Sequence, residues 1–469
     1  MHTALKAAVL SLAAVLGLAA CAGDAPDPDP DNPRPLVVDL DMDSSDVMAL
    51  GYVLNLPGYD VVAVTVPGTG VGRCPQAAAN ARRVIEAMGV EGVPVGCGDD
   101  AAVGSGHPFP DAWRDPSDAL YGIRMGDQAA DTSGPGAPSA SEVLVQALHD
   151  AGQPVDVLTL GPLTNVARVL KAEPSISDRI DRVVAMAGAF DVAGNVEDPA
   201  VGSPEWNVWA DPAALAAVLE SGVDVVLVPL DATDDVPVDG RFYGSLSADH
   251  AAAAADLTYE LLTRNAFLLG GGQFFWDPLA ASYLEDPDVV ETETADVRVG
   301  TDGQELGRTI RGSGGHRAVI ARAGQRDAFD DMFLAGLRRG GERQDPFVPS
   351  GPLAVSYDGT RCTIAGATAL SAGPIRVTFS SRIDGSTAAA LVTLHPDASW
   401  EQLEAFLATF DPSGDPPDFA EVGAVVFPTT GVEAITDAAA GTTGVACVEM
   451  DEEGVAQRVT LSEPFEVEP

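Results

Sequence analysis

Positive charge is scarce in this chain: 26 Lys and Arg stand against 70 Asp and Glu, a formal net charge of −44 over 469 residues. So acidic a balance disfavours binding to nucleic acid or an anionic bilayer, both of which need basic patches, and neither is expected as a partner. Cysteine and histidine are sparse too. The 5 cysteines include no Cys-x-x-Cys pair, and His2, His107, His149, His250, His316 and His395 are scattered. A zinc centre or a redox dithiol therefore has no support. Long apolar runs are missing except at the very start, so nothing later in the chain can span a bilayer. The acidity speaks of solubility and salt tolerance rather than of fold.

What is present suffices for a large core. With 46% hydrophobic residues the chain can fill more than one core, and two domains behind a leader are expected. Residues 1–21 carry one Lys6 before an apolar run and end Leu18-Ala19-Ala20-Cys21. This reads as a secretory signal peptide, and its end resembles the bacterial lipobox, in which the cysteine becomes the lipidated first residue. The expected location is outside the cell, lipid-anchored at Cys21 to the bacterial cell membrane, with that N-terminal lipid as the sole membrane contact. Residues 22–34 are a Pro/Asp-rich tether too polar to fold. In an oxidising compartment the remaining cysteines fall into two within-domain pairs, Cys74 with Cys97 and Cys362 with Cys447.

From Pro35 onward strand-like and helix-like segments alternate. Residues 36–38, 61–66, 93–96, 155–160, 183–187 and 225–230 read as strands. Residues 47–56, 76–88, 163–171 and 212–219 read as helices, the first of them amphipathic and the last capped by Asp211. Such alternation specifies an α/β domain with a doubly wound, mainly parallel sheet covered on both faces. Residues 105–138, rich in Gly, Pro and Asp, break the rhythm and suggest a long loop or lid near a site. Residues 344–352 read as a linker. Residues 353–469, with short alternating runs and one helix near Trp400, read as a small all-β sandwich loosely similar to cupredoxin-like modules. A copper site needs two His beside the Cys, and only His395 is at hand, so this accessory domain is expected to be copper-free.

The most informative stretch is Leu36-Val37-Val38-Asp39-Leu40-Asp41-Met42-Asp43-Ser44-Ser45-Asp46. A buried strand there delivers four carboxylates to the mouth of a helix, and in open α/β sheets the carboxyl ends of strands are where ligands bind. Clustered carboxylates repel one another unless a hard cation such as Ca2+ or Mg2+ neutralises them. Taken alone, the stretch fits a metal loop and a solvated acidic turn equally well.

Further segments bear on it: Leu160-Gly161-Pro162-Leu163-Thr164-Asn165, Met186-Ala187-Gly188-Ala189-Phe190, Gly194-Asn195, Glu205-Trp206-Asn207, Pro229-Leu230-Asp231-Ala232-Thr233 and Trp276-Asp277-Pro278-Leu279-Ala280. In this order, and together with Asp41 and Asp46, they resemble the signature set of the inosine-uridine-preferring nucleoside hydrolases. The resemblance covers residues 35–337, inside a first domain read as 35–343. It implies a Ca2+-dependent N-ribohydrolase that splits ribonucleosides into ribose and free base. The metal would be held by Asp41, Asp46, the Leu160 carbonyl and Asp277, with Asp41 as general base for a metal-bound water. Asn195, Glu205 and Asn207 would bind ribose hydroxyls, with Ser45, Thr69, Met186 and Trp276 also against the substrate.

Three positions depart from the family pattern. Ser45 replaces the first of two consecutive Asp, Thr69 replaces a loop Asn, and Trp276 replaces a His that is a candidate acid for the departing base. A neutral Ser45 accepts a ribose hydroxyl's hydrogen bond more weakly than a carboxylate, and Trp276 offers a flat face for a base. These changes keep two alternatives open: a hydrolase of a different riboside, and a non-catalytic lipoprotein that binds a ribosyl ligand or a surface partner. A homo-oligomer is admitted, but nothing in the chain sets its order.

Overall fold

The computed structural model describes residues 32–125, 138–196, 203–366, 370–383, 386–409, 417–426, 434–451 and 456–469. The leader with Cys21, most of the tether and residues 126–137 of the expected lid lie outside them. Nine strands form the main sheet: β1 (Arg34–Asp39), β2 (Tyr59–Val66), β3 (Val95–Cys97), β4 (Val155–Thr159), β5 (Ile180–Ala185), β6 (Val225–Leu227), β7 (Val290–Val299), β8 (Thr309–Arg311) and β9 (His316–Gly324). Their order is β3-β2-β1-β4-β5-β6-β9-β7-β8. Every pair from β3 to β9 is parallel, while β7 and β8 add an antiparallel edge. The chain winds outward in both directions from β1 and β4, so the fold is doubly wound with its switch point between these two strands.

Strand pleat explains why both faces are covered. Leu36 and Val38 point into one apolar cluster and Val37 into the other, and Leu158 and Val157 divide in the same way. Helices Ala140–Asp150, Thr164–Ala172 and Pro212–Glu220 cover one face. Helices Ser44–Val53, Gln76–Ala87, Ala253–Arg264, Trp276–Glu285 and Arg326–Leu337 cover the other.

Several boundaries differ from the sequence reading. The first helix starts at Ser44, not residue 47, and all ten of its residues are buried, so it is not amphipathic. A second layer of helices lies over it: a Cβ on Gly51 would sit 3.4 Å from the Ala254 Cβ. The strand expected at 225–230 ends at Leu227, and Leu230–Thr233 is a helical turn. The expected lid contains a helix, Asp111–Asp118.

The C-terminal residues form two further sheets. Strands β10 (Ser350–Tyr357), β11 (Cys362–Ala365), β13 (Gly373–Ser381) and β16 (Ala434–Ala438) make one. Strands β12 (Leu370–Ser371), β14 (Ser386–Leu394), β15 (Ala420–Val426), β17 (Gly441–Met450), β18 (Ala456–Leu461) and β19 (Phe465–Glu468) make the other. Leu353, Ile375 and Phe379 of the first sheet share a core with Leu391 and Val445 of the second, and a Cys362–Cys447 disulfide joins β11 to β17 across it. Residues 344–352, expected as a linker, are pinned: Phe347 is buried in the main core and its N–H donates to Asp256 Oδ2 at 3.0 Å. Ile435 of β16 is buried in that same core.

Candidate active site

The crevice opens where β1 and β4 turn away from each other. Leu160 N–H donates to Asp39 O (2.7 Å) and Met186 N–H to Thr159 O (2.9 Å), so each post-strand residue is held by its neighbouring strand. Asp39 accepts from Thr65 Oγ1 and Asn165 Nδ2 (2.5 and 2.8 Å). It braces the crevice from beneath and is not on its wall.

The backbone then bends sharply. Met42 has φ 61°, a left-handed conformation that costs a bulky residue on the order of 1–3 kcal/mol and persists only when its surroundings enforce it. Here Ser117 Oγ donates to Met42 O (2.8 Å) and Gly72 N–H to Asp41 O (2.7 Å). Asp43 caps the helix, and Asp46 Oδ2 accepts the N–H groups of Asp41 (3.1 Å) and Asp43 (2.9 Å). Asp41 Oδ2 accepts Val71 N–H at 2.9 Å. Val71 belongs to the loop that a Cys74–Cys97 disulfide ties to the end of β3.

Two glycines make room for Asp41. A Cβ on Gly70 would lie 2.2 Å from the Asp41 Cβ, and one on Gly161 would lie 2.8 Å from it. Gly70→Ala must therefore displace Asp41, and a displacement of about 1 Å at a reacting group can cost on the order of 10²-fold. The expected result is a loss of that size in kcat/KM with an unchanged circular dichroism spectrum. Activity within threefold of wild type would show that Asp41's placement does not matter.

A cavity of about 330 Å3 is lined by Asp41, Ser45, Leu160, Met186, Asn195, Glu205, Asn207, Trp276 and Asp277. Of the residues expected from sequence, these nine meet there. Asp46 is fully buried behind the wall. Thr69 is not on the wall either: its hydroxyl pairs with Thr164 Oγ1 (2.8 Å), which donates to Asp211. Asp43, one of the four carboxylates of the first stretch, also lines the cavity, as do Val71, Phe109, Trp113, Trp206 and Gln273, to which the sequence reading gives no role. The Glu205-Trp206-Asn207 motif contained one of them, and the Gly/Pro-rich segment near Ser105 hid Phe109 and Trp113. Phe109 stacks on Trp206 (5.0 Å, 26°) and Trp113 meets Trp206 edge-on (5.2 Å), giving the mouth an aromatic rim.

The polar atoms are tightly committed. Glu205 caps helix Trp206–Ala210, accepting from the N–H groups of Asn207, Val208 and Gly188. Asn207 Nδ2 donates to the carbonyls of Leu160 (2.9 Å) and Met186 (3.1 Å), and Asn195 Oδ1 accepts Trp206 N–H (2.9 Å). Ser45 Oγ donates to Asp277 Oδ2 at 2.5 Å.

Burial dominates the electrostatics. It pushes Glu205 up to about 7 against the pull of three backbone N–H groups. It also raises Asp41, and raises Asp46 and Asp277 well above the ordinary carboxylate range, with mutual repulsion adding to the last two. Asp46 Oδ1 and Asp277 Oδ1 are buried and accept no hydrogen bond. Unpaired buried carboxylate oxygens are costly unless a cation compensates them. Among the described residues, no group of three or more His, Cys, Asp or Glu is set to hold a metal by side chains alone. The donor chemistry nevertheless suits a hard cation: the two orphaned oxygens, Asp41, and the Leu160 carbonyl, whose second lone pair remains after Asn207 takes the first.

Residues 36–331 match the family model described as inosine-uridine preferring nucleoside hydrolase. A probable uridine nucleosidase 2 from Oryza sativa subsp. japonica is 30% identical over 270 residues, covering 56% of this chain and 77% of the relative. A pyrimidine-specific ribonucleoside hydrolase from Salmonella paratyphi B is 30% identical over 176 residues, 36% of this chain and 55% of that protein. Among solved structures, an inosine-uridine preferring nucleoside hydrolase from Bacillus anthracis superposes with a TM-score of 0.56 at 24% identity, over 65% of this chain and 99% of that one. This last likeness bears on the fold alone.

Proposed function

The chain belongs to the inosine-uridine preferring nucleoside hydrolase family and is an N-ribohydrolase of ribonucleosides; on that premise we propose that it works with Ca2+ and uses Asp41 as general base. The observation that carries this is one cavity holding Asp41 and Asp277 beside Asn195, Glu205 and Asn207. Asp41, Asp46, Asp277 and the Leu160 carbonyl would hold the ion. Bound there, Ca2+ supplies the positive charge that keeps these carboxylates ionised together and polarises oxygen ligands.

The chain's own groups do the rest. Breaking an N-glycosidic bond builds positive charge on ribose, and a pocket ringed by Asp41, Asp43, Glu205 and Asp277 favours that charge. Asp41, held at one oxygen by Val71 and made more basic by burial, takes a proton from the attacking water. The capacity left to Asn195 Nδ2 and Asn207 Oδ1 binds ribose hydroxyls and fixes the sugar for attack. Trp276 and the aromatic rim offer flat faces to the base. The relatives' names, uridine nucleosidase and pyrimidine-specific hydrolase, favour a pyrimidine ribonucleoside as the first substrate to try.

A second reading, a riboside with a different hydroxyl pattern, is favoured by Thr69: the position where the family has Asn is turned toward Thr164 and gives the sugar nothing. The two disulfides favour an oxidising compartment, in keeping with an exported protein anchored at Cys21. Incubation with a panel of nucleosides and ribosides, with and without chelator, is expected to show chelator-sensitive release of ribose. Calorimetry tests the ion directly: Asp46→Ala should lower Ca2+ affinity by about tenfold or more, and equal affinity in the two proteins would end the assignment.

A further inference from the structure

The C-terminal sheets reach the active site through a short chain of contacts. Asp437 on β16 places Oδ2 2.8 Å from Arg264 and 3.5 Å from Arg124. Arg264 ends helix Ala253–Arg264, has a side chain 7% exposed, and also pairs with Glu260 at 2.7 Å. Its neighbour Asn265 donates from Nδ2 to Tyr121 O at 3.0 Å. Gly122 lies on the Arg264 side chain, where a Cβ would sit 4.0 Å from Cδ.

The segment so gripped is strained. Leu120 and Tyr121 both have positive φ, 48° and 53°, and two successive bulky residues in that region persist only when the surroundings enforce it. The turn carries the Tyr121 hydroxyl to Asp43, donating to Oδ1 at 3.4 Å. Asp43 caps helix Ser44–Val53 and lines the cavity. Tyr121 also borders a smaller apolar annex of about 170 Å3, which shares Asp43, Trp113, Gln273 and Trp276 with the main cavity.

We infer that Asp437 is a positioning residue for the active-site mouth: from the C-terminal sheets it clamps Arg264 and Arg124 about the Leu120–Tyr121 turn, which holds Tyr121 against Asp43. The C-terminal sheets are then a working part of the hydrolase rather than an appended module. Because Tyr121 borders the annex and not the Asp41 end, the clamp acts on substrate binding.

The test uses the full chain and two readouts. In Asp437→Asn, amide exchange is expected to rise in the peptide spanning residues 120–125 while β1 and β14 keep their protection. KM for a cleaved ribonucleoside is expected to rise about five- to tenfold with kcat within twofold, and Asp437→Glu should restore most of the loss. Tyr121→Phe should raise KM similarly, and the double variant should do no worse than either single one, because both break the same linkage. Unchanged exchange at 120–125 would overturn the clamp whatever the enzyme's substrate. A fall in kcat at constant KM, or additive effects in the double variant, would reduce Asp437 to ordinary structural support.

Discussion

Asp41→Asn is expected to lower kcat by about three orders of magnitude while leaving the protein folded. A positioned general base contributes roughly 10²–10⁴-fold, and a carboxamide cannot take the proton of the attacking water. Asn is nearly isosteric, so it fits the space that Gly70 and Gly161 leave, and its carbonyl oxygen can still accept Val71 N–H. It also removes one of several mutually repelling buried carboxylates, so no loss of stability opposes the reading. Since Asp41 is a proposed Ca2+ ligand too, kinetics belong at saturating Ca2+ and saturating substrate. A kcat within tenfold of wild type under those conditions would remove Asp41 as the base.

How much of this was legible beforehand depends on what each feature leaves in a sequence. The parallel strands showed because they are buried on both faces and read as β-branched runs, as at Leu36-Val37-Val38. The helix after β1 begins three residues before the position its apolar pattern marks, because its cap is Asp43 with Asp46 at the third position, an Asp-x-x-Asp pattern and not the Ser/Thr-x-x-Glu pattern that usually marks a capping box. Ser45 and Asp46 are therefore in the first helical turn and not on a loop. Helix Ala253–Arg264 has eleven of its twelve residues buried and so carries no clear apolar stripe to find. The antiparallel β7, paired between β9 and β8, alternates Thr with acidic residues and exposes Thr292, Thr294 and Asp296, and the sequence reading assigns it no element.

The site divides along the same line. Asp41, Leu160, Glu205, Asn207 and Asp277 sit at strand ends or helix starts, where short motifs survive in fixed order, and Asn195 lies in the loop after β5. Phe109, Trp113 and Tyr121 come from a segment without periodicity, and only the folded chain shows that Arg73, bonded to Asp111, Asp115 and Asp118, holds that segment over the pocket. Ser45 was legible as a departure but not in its partner. Its proton goes to Asp277, so it supports a proposed metal ligand as well as lining the cavity.

Freed of divalent cations, the protein is expected to lose stability as pH rises from about 4 to about 8, and Ca2+ is expected to reduce that loss. Burial pushes Asp39 up from 3.8 and Glu205 up from 4.5, each to about 7. An acid whose folded pKa lies above its unfolded one holds its proton longer in the native state. Its contribution is therefore fully present below about 4 and is lost as pH rises through about 7. At 1.36 kcal/mol per pKa unit, shifts of 7 − 3.8 and 7 − 4.5 amount to about 4 and about 3 kcal/mol. Both groups are fully buried, so solvent screening does not discount these upper values. Their sum is comparable to the whole stability of an ordinary domain, about 5–15 kcal/mol. Asp41, Asp46 and Asp277 shift in the same direction and steepen the loss. A bound cation acts in the opposite direction, because it favours its ionised carboxylate ligands in the folded protein alone. At a hundred times its Kd it contributes about 2.7 kcal/mol, and its grip tightens as the ligands deprotonate. Thermal unfolding of chelated and Ca2+-loaded protein between pH 5 and 9 decides the matter. The two Tm curves should diverge as pH rises from 5 to about 8; parallel curves would mean that no cation is linked to these carboxylates, and the proposed metal site would fall with them.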